Sequence, residues 1–194
     1  MGFFDSIFGG GKRLRSPNSL RHNGKRLSEI LDAHGRFHRE EPNGTRANLE
    51  GADLSRADLR GANLSDAILI GCRLEGANLQ KAKLVRAELE RANLRRADLR
   101  NCDFTEAKLP AADLTEAQAS GIEFLRCDMR GTNFERANLR NCNFRGTQLL
   151  GAKFAGADMG VAILREADLT NVDLSGVDLT TTLMPKGYSQ AKAK

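Results

Sequence analysis

Aromatic residues are scarce. Trp is absent, Tyr occurs once, and Phe, Trp and Tyr together make up 5% of the 194 residues. That shortage excludes an ordinary mixed core built around scattered large rings. No apolar run approaches the roughly 18 residues that a membrane-spanning helix needs. The first residues are not expected to form a secretory signal either, because Phe3–Phe8 is a short apolar stretch with no basic residue before it. A soluble, cytoplasmic protein is the expectation. The formal charge of +5 is also missing from most of the chain. Residues 46–184 hold 19 Lys/Arg against 20 Asp/Glu, residues 1–45 hold 8 against 5, and residues 185–194 hold three lysines and no acid. The basic excess therefore sits at the two ends. A stripe of cations that could track nucleic-acid phosphates is lacking in the middle.

The middle carries a repeat of period five. From Leu49 to Met184 every fifth position is apolar: 28 positions, with 19 Leu, 5 Phe, 3 Met and one exception, Ala119. Two residues before each stands a small side chain in most units, 18 Ala and 4 Cys among them. Between the two, 17 of the 28 positions are Asp or Asn, and ten of the positions two after the centre are Gly. A period of five fits neither the helical 3.6 nor the strand 2.0. Strict self-similarity over so many copies predicts a stacked solenoid. A chain that turns a corner every five residues points the central Leu or Phe, and the small residue two before it, into a narrow core. Glycine suits the corner because it tolerates positive φ. Short parallel strand pairs between successive turns would satisfy the backbone.

The run A-N-L-E-G-A-D-L-S-R-A-D-L-R-G-A-N-L, from Ala47 to Leu64, resembles the pentapeptide repeat family, and the resemblance covers residues 46–184. It implies an all-β fold, a right-handed quadrilateral β-helix with four pentapeptides per coil. About seven coils are expected, with a rod length of roughly 34 Å at about 4.8 Å per coil. Twenty residues per coil then place Leu64, Leu84, Phe104, Phe124, Phe144, Leu164 and Met184 in one interior column. Leu54, Leu74, Leu94, Leu114, Phe134, Phe154 and Leu174 fall in the opposite one. Cys72, Cys102, Cys127 and Cys142 all take the small inward position. Cys102 and Cys142 share a column two coils apart, about 9.6 Å, too far for a disulfide, whose Cα limit is roughly 7 Å. They are expected as reduced, buried substitutes for Ala.

The chain divides into an N-terminal segment (1–45), the repeat (46–184) and a polar tail (185–194). Leu27, Ile30, Leu31, His34 and Phe37 follow helical spacing and predict an amphipathic helix over roughly residues 26–38. A short helical cap there would cover the apolar interior and strand edges of the first coil. Phe3, Phe4, Ile7 and Phe8, followed by Lys12, Arg13 and Arg15, read either as a plug or self-association patch or as a contact with a membrane surface or partner. Gly2 with Ser6 also fits a short myristoylation pattern. At the far end, Val172, Leu174, Val177, Leu179, Leu183 and Met184 would lie beside unpaired backbone. Several members of the resembled family dimerise through that end, which implies a homodimer.

Catalytic motifs are wanting. Gly9-Gly10-Gly11-Lys12 lacks the spacing and the Ser/Thr of a phosphate loop. His34 and His38 are four apart, but no H-E-x-x-H surrounds them. No enzyme activity, metal or cofactor is expected. The leading expectation is a non-catalytic protein–protein interaction scaffold. The family also includes fluoroquinolone-resistance members that resemble DNA and occupy DNA gyrase. A gyrase-binding DNA mimic is therefore one alternative, although the near-neutral repeat departs from its charge. A peripheral membrane adaptor held by the N-terminal segment is the other. Direct nucleic-acid binding is not expected.

Overall fold

Each pentapeptide turns one corner, and the corner has a defined hydrogen-bonding geometry. The structure, a computed structural model, describes residues 13–188. In the first unit the Ala52 N–H donates to the Leu49 carbonyl (3.0 Å), and Gly51, third of the four turn residues, has φ +65°. A positive φ at that place defines a type II turn. The same conformation recurs at Arg56, Lys81, Ala111 and even the β-branched Val161, where φ is +62°. Glycine is thus favoured at the corner but not required.

The coils stack through parallel bridges between residues i and i+20, for example Asn48 with Ile68, Asp53 with Arg73, Asp58 with Asn78 and Asn63 with Lys83. These four series form the four sides. The expected strand pairs are corrected here: each side is a one-residue bridge, not a strand. The turn consumes the central residue and the three after it, which leaves one residue of five free to bridge.

Four of the five N–H groups in a unit are satisfied by backbone. Leu69 donates to the Glu88 carbonyl (2.7 Å), Gly71 to Glu90 (2.8 Å), Cys72 to Leu69 (3.1 Å) and Arg73 to Ala52 (2.9 Å). The fifth N–H, on the residue after the centre, points out of this ladder.

Leu and Phe centres fill the interior, and the small residue two before each lets the opposing walls approach. Full burial of such a side chain contributes about 1.5–3 kcal/mol. Phe124 lies between Phe104 and Phe144, with ring centroids 5.3 and 4.9 Å away, and Phe134 stacks on Phe154 at 4.8 Å. Edge-to-face contacts of 5.9–6.0 Å join the two columns. Ala119, the one small centre, is itself fully buried.

The N-terminal segment closes one end. A two-stranded antiparallel hairpin, β1 (Arg21–His22) and β2 (Lys25–Arg26), leads into α1 (Leu27–His38). The helix was expected from its apolar spacing; the hairpin was not. Arg26 N–H donates to the Glu29 carboxylate (2.9 Å), which satisfies a group at the helix start. Leu20 and Leu27 are buried in the common core, with Ile30 and Leu31 packed against it. The chain before the hairpin also pairs with the solenoid. Arg15 N–H donates to the Arg56 carbonyl (2.7 Å), and its own carbonyl accepts from Asp58 N–H (2.9 Å). Arg15 thereby bridges Ala57, one residue out of register with the Asp58 series of that side.

Candidate interaction surface

The corners explain why Asp or Asn recurs just before the centre. In all 17 units that carry one, its side-chain oxygen accepts the fifth N–H, two residues on, at 2.9–3.5 Å. This side-chain turn completes the backbone's hydrogen bonding. Pro110 and Pro185 occupy the same fifth position, where no N–H is needed by the ladder and a φ near −60° suits the turn. Much of the acidic and amide content is therefore structural, a role the sequence signalled only through the regularity of the D/N position.

Most of the arginines on the coils pair along and across them. Arg86 reaches Asp66 one coil away (2.7 Å), Arg96 and Arg136 both reach Glu116 (2.8 and 3.2 Å), and Arg145 reaches Glu166 (2.8 Å). Arg60, Arg100 and Arg130 fold back on Asp58, Asp98 and Asp128 within a coil, each pair 2.7 Å apart. Apart from the Arg100 pair, whose partner Asp98 is buried, these exposed pairs add little stability individually. Their effect on recognition is larger, since each carboxylate carries its own counter-charge.

A groove of about 600 Å³ lies between the end of α1 and the first coils, lined by Phe37, Arg46, Asp66, Arg86, Glu88, Glu106 and Lys108. Four of its six charges are engaged with one another: Arg46 binds Glu88 (3.1 Å) and Arg86 binds Asp66. Among the described residues no group of His, Cys, Asp and Glu is arranged to hold a metal ion. No helix there is long and apolar enough to cross a membrane.

The four cysteines are buried and unpaired with one another, and burial pushes each thiol up to about 12. Three of them do more than stand in for Ala. The thiols of Cys102, Cys127 and Cys142 donate to the carbonyls of Leu79, Phe104 and Ala119 at 2.8–2.9 Å, and the Thr132 hydroxyl does the same to Leu109 (2.7 Å).

His34 is fully buried, and its Nδ1 accepts the Ala47 N–H (3.1 Å) at the entry to the first coil. The neighbouring His38 ring, 4.6 Å away between centroids, hydrogen-bonds through Nε2 to the Ser65 carbonyl (2.8 Å). Together these bonds fasten α1 to the solenoid.

The residues expected at the interfaces divide unevenly. Phe3, Phe4, Ile7, Phe8 and Lys12 lie outside the described residues. Arg13 is exposed, while Arg15 is held by the bridge to the first coil and lies 3.9 Å from Asp53. Val172, Leu174, Val177 and Met184 come together on the last coil, partly buried against the core, beside half-buried Leu179 and exposed Leu183. The ladder is incomplete there. Asp173 and Leu183 bridge back to Lys153 and Ile163, whereas Asp178 makes no bridge to Asp158.

The profile of pentapeptide repeats matches residues 45–80, 72–109, 111–146 and 142–180, more than half of the chain. The chain belongs to the pentapeptide repeat family. Such proteins are typically non-catalytic structural or interaction proteins. No curated protein matches the chain. Among solved structures it is similar to trypsin-treated QnrB1, a plasmid-mediated fluoroquinolone resistance protein, at 21% identity over 75% of this chain and 92% of that one, with a TM-score of 0.48. HetL, a pentapeptide repeat protein involved in heterocyst differentiation regulation in the cyanobacterium Nostoc sp. strain PCC 7120, is 26% identical over 73% of this chain and 86% of that one (TM-score 0.38). Rfr23, a pentapeptide repeat protein of the cyanobacterium Cyanothece 51142, is 28% identical over 60% and 90% (TM-score 0.34).

The repeat protein's pH dependence should fall in two windows. Burial first, and His38 second, hold His34 below its usual value. A lowered folded value means that the stability from neutral His34 is complete above about pH 6.5 and is lost as pH falls through the lowered value. Hydrogen bonds from Arg60, Arg86 and Arg130 likewise hold Asp58, Asp66 and Asp128 low, so their contribution is complete above about pH 4 and lost below it. Melting temperature should be flat above pH 7, decline first below about pH 6.5 and decline again below about pH 4. His34→Gln, which keeps an acceptor for Ala47, should remove the first decline and leave the second; superimposable profiles would refute the role given to His34.

Proposed function

We propose that this pentapeptide repeat protein is a non-catalytic rod that binds other proteins. Seven coils with a helical cap over the first form the scaffold, with residues 1–45 and 185–194 as its N-terminal segment and tail. The observation that carries the reading is the compensation of charge along the coils. A rod that replaces DNA on an enzyme needs uncompensated acid along its length. Here Glu116 lies between two arginines, Asp58, Asp98 and Asp128 are each closed by an arginine two residues on, and residues 46–184 net −1. Most surface carboxylates are thus already spoken for, which disfavours the DNA-mimic reading and favours specific recognition by a protein partner.

The reading is tested with purified DNA gyrase. Supercoiling should proceed unchanged with the protein at micromolar concentration, with or without a fluoroquinolone. Inhibition, or protection from the drug at sub-micromolar protein, would overturn the assignment in favour of the DNA-mimic alternative.

The rod's own first partner is a second copy, joined end to end at the last coil. That coil offers Val172, Leu174, Val177, Leu179, Leu183 and Met184 beside backbone groups that no other coil of the described residues covers, and an uncovered edge is a template for pairing. A closed two-fold contact would use each patch once. Light scattering should give a mass about twice 21.2 kDa at tens of micromolar. Leu183→Lys with Met184→Lys should return it to the monomer value. A monomeric wild type would sink the dimer.

A further inference from the structure

The N-terminal end carries a charge pattern opposite to that of the coils. The hairpin turns at Asn23 (φ 48°) and Gly24 (φ 79°), the two positive angles of a type I′ turn. Its base is fixed on both sides: Leu20 and Leu27 are buried, and Leu27 N–H donates to the Leu20 carbonyl (2.9 Å). Between these anchors, Arg21 stands directly across from Arg26, and His22 across from Lys25. Like charges directly opposite each other destabilise a hairpin. Arg21, Lys25 and Arg26 are nonetheless exposed, and among the described residues none forms an ion pair, although arginines of the coils repeatedly do. Among the described residues the Arg21 guanidinium donates only to the Gly24 carbonyl (3.0 Å), which fixes its direction without neutralising it. Exposed Arg13 adds a further cation two residues before the bridged Arg15.

We infer that this hairpin is a docking site for an anionic phospholipid surface, which it meets as a rigid cationic tip at the end of the rod. Residues 21–26 include no apolar side chain. A stable protein interface needs about 800 Å² per partner around an apolar centre, and the tip has none. Duplex nucleic acid would extend past the tip onto the coils, where most arginines are paired with acids. A single strand would need aromatic platforms for its bases, and His22 is the hairpin's one ring. A flat anionic surface demands neither shape nor stacking. It attracts each nearby Lys or Arg independently and loses that attraction over one Debye length of salt. Docking in this way leaves the sides of the rod exposed to a protein partner, and it does not depend on the identity of that partner.

Vesicle co-sedimentation of the full-length protein tests the inference. Vesicles of 30% phosphatidylserine in phosphatidylcholine should bind it, pure phosphatidylcholine should not, and 0.5 M salt should release it. Arg21→Gln/Lys25→Gln/Arg26→Gln should weaken binding on the order of 100-fold, from about fivefold per charge. Its melting temperature should be unchanged or slightly raised, because the opposed cations are gone. Lys83→Gln/Lys108→Gln/Lys153→Gln, with the same loss of net charge on the coils, should bind within a few-fold of wild type. Absent binding to the anionic vesicles would overturn the proposal. So would a hairpin variant that binds as wild type does, equal losses in the two triple variants, or duplex DNA competing the protein off the vesicles at equal phosphate concentration through the hairpin.

Discussion

The backbone hydrogen bond between residues one coil apart is the interaction on which everything else rests. A corner every five residues uses up the chain so quickly that one residue per side remains to bridge. No bridge would hold alone. The arrangement works because each unit repeats it in register and four of its five N–H groups have an assigned backbone acceptor, three in neighbouring coils and one within the turn, while the fifth finds an Asp or Asn side chain in the 17 units that carry one. Leu69 to Arg73 shows the backbone part of this assignment, and Asn48 with Glu50 shows the side-chain part. The apolar core follows from the same constraint, since a square coil closes only when a small residue and a large one alternate on the inside.

That constraint also sets the character of the surface. Outward positions lie in fixed columns 20 residues apart, so a charge on one coil meets its neighbour at short range whether or not a partner is present. Arg86 above Asp66 and Arg96 beside Glu116 are consequences of this spacing. The two ends escape it. At one, α1 and the hairpin cover the first coil, with His34 and His38 tying helix to coil and three cations left facing outward without an ion pair among the described residues. At the other, the ladder stops with Asp178 unbridged and apolar side chains partly covered. The irregular features of this rod are therefore concentrated where the periodicity ends.

The sequence made the repetitive part legible because its signal is redundant. Twenty-eight units in one phase determine which residues face inward, and the stacking of Phe104, Phe124 and Phe144 follows from counting by twenty. It concealed what occurs once. The Asn23-Gly24 turn is a recognisable hairpin signal, but two-residue strands leave no alternation to detect. Arg15 could not be placed by pattern, because nothing local distinguishes a residue that bridges a coil from one that contacts a surface. The burial of His34 depends on how α1 meets Ala47, a contact without periodicity. Reading the sides as strand pairs likewise gave the backbone more extended length than a five-residue corner permits.

Amide hydrogen exchange resolved by residue tests the assignment of backbone hydrogen bonds most directly. The amides of Leu74, Ala77, Leu79 and Leu94 donate within the ladder and should exchange slowly. Those of Gln80, Arg95 and Thr105, held only by Asn78, Asn93 and Asp103, should be intermediate. At Ile70, Glu75, Val85, Glu90 and Leu125 the preceding unit position is neither Asp nor Asn and the amide makes no hydrogen bond among the described residues, so exchange should be fast there. A period of five in protection, with its minimum at the residue after each Leu or Phe, is the predicted result. Equal protection at Ile70 and Leu74, or a pattern of period two along the sides, would contradict the account.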